Sequence, residues 1–223
     1  MLTAAALALM MLDIKKVDLT PTADIWVYPH ASDPEHDAYL RVWGAEGREV
    51  PADANELQDF SISLMKWDAS KIPAGKITKA ELILTQVASP GYELAYAKQH
   101  PLTARAVRAD FNEKNWTYDK ASEYLPEAKE TAVFGTGAPA SLGDGKEFTI
   151  TLDLLKGKDD FNLYVEQARN SSDHNLAIAL TAGLDVEEFG QQSIYKFFSK
   201  DIDTAGKRPI LRLTIQNDTR SKR

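Results

Sequence analysis

"SISLMKWDASKIPAGKITKAELIL", Ser61–Leu84, reads as two short runs of alternating apolar residues held apart by a segment containing Pro73 and Gly75. In the first run Ile62, Leu64 and Lys66 point one way while Ser61, Ser63, Met65 and Trp67 point the other, the period of two of a β-strand. In the second, Leu82 and Leu84 alternate against Glu81, Ile83 and Thr85. Proline cannot donate to a strand ladder and glycine tolerates positive φ, so Asp68–Ile77 reads as a loop between strands. Its expected role is architectural, a connection that carries the chain from one sheet to another.

The same alternation recurs outward from this stretch. "ADIWVYPH" at 23–30 and "AYLRVWG" at 38–44, separated by the polar "ASDPEHD", predict a first hairpin. Further strands are expected in "LTARAVRADF", "KEFTITLDL", "FNLYVEQA", "LAIALTAG", "SIYKFFSK" and "PILRLTIQ", each bounded by Gly, Pro, Asn or Asp. "DKASEYLPEAKETA" and "LDLLKGKDD" have room for single helical turns, limited by Pro126 and Gly157. About ten short strands without a long helical period predict an all-β fold, an antiparallel β-sandwich of jelly-roll-like form. The 223 residues suit one such domain, taken as 18–216, with an apolar N-terminal segment 1–17 and a polar tail 217–223.

Composition narrows the chemistry. With 26 Lys and Arg against 33 Asp and Glu, the net charge of -7 argues against nucleic acid as a partner, because that binding rests on neutralising phosphates. The chain has no cysteine, which excludes disulfides, a thiolate nucleophile and thiolate-ligated metal. The apolar "MLTAAALALMML" is too short for a transmembrane span, and no Lys or Arg precedes it as in a complete signal peptide. It is read as the remnant of an export signal, or as a strand or helix docked on a neighbour, and either reading points to an extracellular or cell-envelope location.

Catalytic patterns are weak. His30, His36, His100 and His174 fall in separate turn-like segments without metal spacing. Asp33, Glu35 and Asp37 are hard oxygen donors suited to calcium, but they lack the EF-hand spacing and glycine, which favours a solvated turn. No Gly-x-Ser-x-Gly elbow occurs, and "GTGAPASLGDG" at 135–145 matches neither a P-loop nor a dinucleotide fingerprint, so both regions read as loops. With 33 acidic residues, no pair stands out for glycoside cleavage. The protein is therefore expected not to be an enzyme.

Sugars are bound by aromatic faces with a few polar groups beside them. Strand alternation puts Tyr39, Arg41 and Trp43 on one face, opposite a buried face of Leu40 and Val42, and an Arg between two aromatics suits a sugar acid. The competing reading has these rings covering a second apolar surface with Arg41 snorkelling beside them. Trp67 and Trp116 are expected in the core. Lys66, Lys196 and Lys200 are either solubilising charges or a basic strip for an acidic polysaccharide.

Three segments together resemble the DNRLRE-type domain, a β-sandwich module classed among the carbohydrate-binding modules of exported bacterial and archaeal proteins. The first is "SLMKWDASKIPAGKITKAELIL", similar to the family's strand ending in an aromatic and Asp, its Leu-Pro-like loop and its next strand. In "VRADFNEKNWTYD", Phe111, Glu113, Thr117 and Tyr118 stand where the family has an aromatic-x-Glu and a Thr-aromatic pair, with Trp the more usual aromatic. In "YKFFSKDIDTAGKRPILRLTI", Phe198, Ser199, Lys200, Asp201, Arg208, Pro209 and Leu211 follow the closing pattern, with Lys200 and Asp201 replacing Arg and Glu. The resemblance implies a non-catalytic extracellular carbohydrate-binding or cell-surface module whose partner is a polysaccharide, an acidic one by the residues above. The competing function is a structural subunit of an extracellular filament or surface layer, assembled from copies of itself through residues 1–17.

Overall fold

The computed structural model describes residues 13–27, 35–44, 61–87, 92–117, 120–124, 131–141, 147–183 and 195–217. It holds eleven strands: β1 Asp13–Leu19, β2 Ala23–Val27, β3 Tyr39–Val42, β4 Ile62–Asp68, β5 Lys76–Val87, β6 Leu102–Ala106, β7 Val133–Gly137, β8 Glu147–Asp153, β9 Asn175–Thr181, β10 Tyr195–Phe198 and β11 Ile210–Asn217. The helices are α1 Leu94–Gln99, α2 Ala121–Tyr124 and α3 Phe161–Asn170. All pairings are antiparallel and form two sheets, as expected of an all-β sandwich. The six-stranded sheet runs β1-β11-β5-β10-β3, with β8 on the other side of β5, and the five-stranded sheet runs β2-β4-β9-β6-β7.

The opening stretch does cross between sheets, since β4 belongs to the five-stranded sheet and β5 to the six-stranded one. Asp68 ends β4 by accepting from Ser70 N at 3.0 Å, which starts a 3-10 turn at Ala69–Lys71. Gly75 then takes φ +131 where a Cβ would come within 2.7 Å of Gln216 O, so only glycine fits between the loop and β11. The expected two faces of β4 are both present. Met65 and Trp67 enter the core between the sheets, while Ile62 and Leu64 join a second cluster on the sheet's far side.

That second cluster is closed by the chain after β6. Phe111 and Tyr124 are buried there against Ala177 and Ala179 of β9, and Trp116 packs beside Tyr124 at 5.4 Å. Trp67 is fully buried and Trp116 partly so.

Four expectations need correction. The segments at 23–30 and 38–44 do not form a hairpin: β2 pairs with β4 and β3 with β10, in different sheets. Ser61 Oγ and Ser63 Oγ donate to Arg41 O at 3.0 and 2.9 Å, so β3 is tied to β4 across the sandwich edge by side chains. "FNLYVEQA" is α3 rather than a strand. Asp160 caps it by accepting from Asn162 N and Leu163 N, and Phe161, Val165 and Ala168 make one buried helical stripe, which overrides the β-propensity of Phe, Tyr and Val. "GTG" at the start of the Gly-rich loop is strand, the end of β7, because Gly135 and Gly137 let β7 lie against the β8 backbone. The sheet begins at Asp13, not at residue 18, because β1 pairs with β11 from Asp13↔Asn217 to Leu19↔Leu211. Residues 1–12 and 218–223 lie outside the described residues. No helix among those described is long and apolar enough to cross a membrane.

Candidate functional site

Along β2, Ala23, Ile25 and Val27 join the outer cluster while Trp26 joins the inter-sheet core, and alternation places Asp24 on Trp26's side. An aspartate in a strand buried on both faces is out of place unless its charge is answered. Two remote segments meet it there, and one of them brings the cation Lys200. Asp24 N donates to Glu113 Oε1 at 2.5 Å, and Lys200 N donates to Asp24 Oδ2 at 2.7 Å. Glu113 opens the 3-10 turn Glu113–Asn115, held in place by the Asn112 cap and by Phe111 buried just before it. Lys200 and Asp201 follow β10, where Ser199 Oγ donates to Asp37 O and accepts from Asp201 N. The Lys200 ammonium lies 2.7 Å from Asp201 Oδ1 and 3.2 Å from Glu113 Oε1.

One carboxylate oxygen each from Asp24, Glu113 and Asp201 falls within 4.8 Å of the others. Asp24 is 1% exposed, and burial pushes its carboxyl up to about 8, against the pull of Lys200 and with a push from Asp201 and Glu113. Burial also raises Glu113. For Lys200 burial works the other way, but the hydrogen bond to Asp201 and the charge of Glu113 hold its ammonium above its ordinary value. Such a group can hold a cation or share a proton. Its Asp24 is closed off from any polymer substrate.

The expected platform is only partly present. Tyr39 and Arg41 are half-buried on the outer face of β3, but Trp43 is 5% exposed, buried in the inter-sheet core with Trp26 at 6.3 Å. It does not present an exposed ring, because past Val42 the chain bridges to Ser61 of the other sheet and turns its side chain inward. Arg41 lies 4.4 Å over the Trp26 ring and 3.4 Å from Asp37. Across the β3–β10 pair, Lys196 stands directly opposite Arg41, with its ammonium 4.1 Å from the Tyr39 ring, and Phe198 stacks on Tyr39 at 5.3 Å. Burial lowers the Lys196 pKa and the charge of Arg41 lowers it further, with Asp37 opposing.

Lys66, Lys196 and Lys200 do not form one strip. Lys66 covers the outer cluster, donating to Phe111 O at 2.7 Å, and Lys200 is engaged by carboxylates. Asp37 is occupied by Trp26 Nε1, Tyr39 N and Arg41, and Glu35 by Lys114 at 3.9 Å. These two therefore shape the turn before β3. Asp33, His30 and Tyr118 lie outside the described residues. His36, His100 and His174 are far apart in sequence, and among the described residues none of them joins an acidic group that could hold a metal.

Sequence reasoning passed over Asp24 and offered Lys196 only as a solubilising charge or as part of a basic strip with Lys66 and Lys200. The signal for Asp24 was an acid inside the apolar run "ADIWV". Glu113 and Asp201 carried the family resemblance without an assigned role. Compared with models of known protein families and with curated proteins, the chain matches none.

Proposed function

We propose that the protein is a non-catalytic extracellular module that binds an acidic polysaccharide on the outer face of β3 and β10, through Tyr39, Arg41 and Lys196. The observation that carries this reading is the placement of two cations, Arg41 and Lys196, directly opposite each other on neighbouring strands. Like charges in that position destabilise a sheet, and Asp37 offsets only Arg41 at close range. A carboxylate presented between them relieves the repulsion, and the Tyr39 ring offers a flank for the sugar's apolar face. The resemblance to DNRLRE-type modules supports the same reading, on residues that build this edge of the sandwich.

The test is calorimetric titration with polygalacturonate and with neutral dextran at low and high salt. The expected result is binding of the uronate polymer alone, weakened by salt and lost at least about tenfold in Lys196→Ala. Equal affinity for dextran, or an unchanged Lys196→Ala variant, overturns it.

A second reading, a filament or surface-layer subunit, is favoured by β1. Asp13–Lys16 are exposed, Ile14 at 58%, and among the described residues β1 pairs only with β11, leaving an edge to which another strand can add. Negative-stain microscopy of the full chain, with and without residues 1–12, tests it. Filaments that vanish on deletion support it, and a monomer at all concentrations removes it.

A further inference from the structure

We propose that Asp24, Glu113 and Asp201 bind one calcium ion, which joins β2, the 113–115 turn and the turn after β10 at one edge of the sandwich. The geometry allows it, since donor oxygens within 4.8 Å of one another can all reach an ion that binds oxygen at roughly 2.3–2.6 Å.

The stronger observation is a pair of unanswered atoms. Asp24 Oδ1 and Asp201 Oδ2 are buried and accept no hydrogen bond from the protein, although their partner oxygens do: Oδ2 of Asp24 from Lys200 N, and Oδ1 of Asp201 from Lys200 Nζ. A carboxylate oxygen withdrawn from water needs a partner, and Asp24, at 1% exposure, has its Oδ1 buried without one. Lys200 thus serves one side of the cluster and leaves the other side for a second cation.

Charge points the same way. With all three carboxyls ionised, three carboxylates and one ammonium leave two negative charges in a largely buried group, and one divalent ion brings the total to zero. The donors are all carboxylate oxygens, a hard set that suits calcium or magnesium over softer metals. Calcium is favoured because it accepts irregular coordination completed by water, whereas magnesium demands near-ideal octahedral geometry. The alternative occupant of the same space is a proton on Asp24.

The ion would act on the sandwich edge. Asp24, Glu113 and Asp201 come from segments far apart in sequence, and Ser199, two residues before Asp201, holds the Asp37 backbone that leads into β3.

The test uses the full chain stripped with chelator, then titrated calorimetrically with calcium chloride and magnesium chloride, with melting followed in parallel. One calcium per chain and a melting temperature raised by about 4 °C or more in millimolar calcium are expected, with a smaller response to magnesium. Asp24→Asn and Asp201→Asn should each lose calcium binding at least tenfold. Asp201→Asn, at the less buried position, keeps the test valid if Asp24→Asn fails to fold. No heat of calcium binding by the wild-type chain means the proton occupies the site and overturns the proposal. Undiminished calcium binding by Asp201→Asn overturns it as well.

Discussion

β8 of the six-stranded sheet and β9 of the five-stranded sheet are both seven residues long, yet they meet different surroundings. In β8, Phe148, Ile150 and Leu152 are buried while Glu147, Thr149 and Thr151 face water. In β9, every residue from Leu176 to Thr181 is buried. The six-stranded sheet covers the core with one face and leaves the other wet over β8. The five-stranded sheet is covered on both sides, by the opposite sheet and by Val107, Ala109, Phe111, Trp116 and Tyr124. Tyr164 of α3 fastens that cover, donating to Val107 O and to Ala177 O of β9. The sandwich is thus three layers deep on one side, and the carboxylate group lies where the third layer meets the end of β10.

The sharpest break of this comparison is to remove the cover. Phe111→Ala should cost about 3–5 kcal/mol in urea denaturation, the usual loss for a buried phenylalanine. A loss under about 1 kcal/mol would mean the outer face of the five-stranded sheet does not depend on the segment above it.

The two sheets also touch at β7 and β8. A Cβ on Gly135 would run into the Asp153 carbonyl oxygen, so Gly135→Ala should cost about 1–3 kcal/mol by forcing the strands apart. An unchanged melting temperature would show that this edge can open without penalty.

The third test is pH, applied to chelator-treated protein. Asp24 faces Lys200, Glu113 and Asp201, and its folded pKa of about 8 lies above the ordinary 3.8. Between those values the folded state holds a proton that the unfolded chain has released. The contribution of Asp24 to stability is therefore complete below about pH 3.8 and declines as pH rises to about 8, by at most about 1.4 kcal/mol per pH unit. Glu113, also raised by burial, acts with the same sign. Asp24→Asn should flatten the decline, and a profile that rises over this window would contradict a protonated Asp24.

The smallest effect is expected on the wet face. Thr149→Ala should change stability by under about 1 kcal/mol, the span of strand propensity alone. A larger loss would reveal a covering layer on the six-stranded sheet too.

The contrast explains what could be read in advance. β8, β5 and β11 alternate visibly because one face is wet, and the five-stranded sheet's β4 could be read because Ile62 and Leu64 on one face and Met65 and Trp67 on the other each keep the period of two. α3 was harder: "FNLYVEQA" carries strand-favouring residues, and the Asp160 cap that starts the helix is one residue outside it. Tyr39 and Arg41 fell on the expected outer face, whereas the burial of Trp43 depended on where Ser61 would lie.

By itself the sequence determined most of the strands, though not β1 or β7, together with the crossing loop at Pro73 and Gly75 and the all-β class, because alternation and backbone restriction act over a few residues. Only the tertiary structure decided which strands pair, that β2 and β3 part into different sheets, that Lys196 faces Arg41, and that Asp24, Glu113, Lys200 and Asp201 meet. The reason is physical: burial and charge depend on what packs above a residue, and here each covering group arrives from a remote part of the chain.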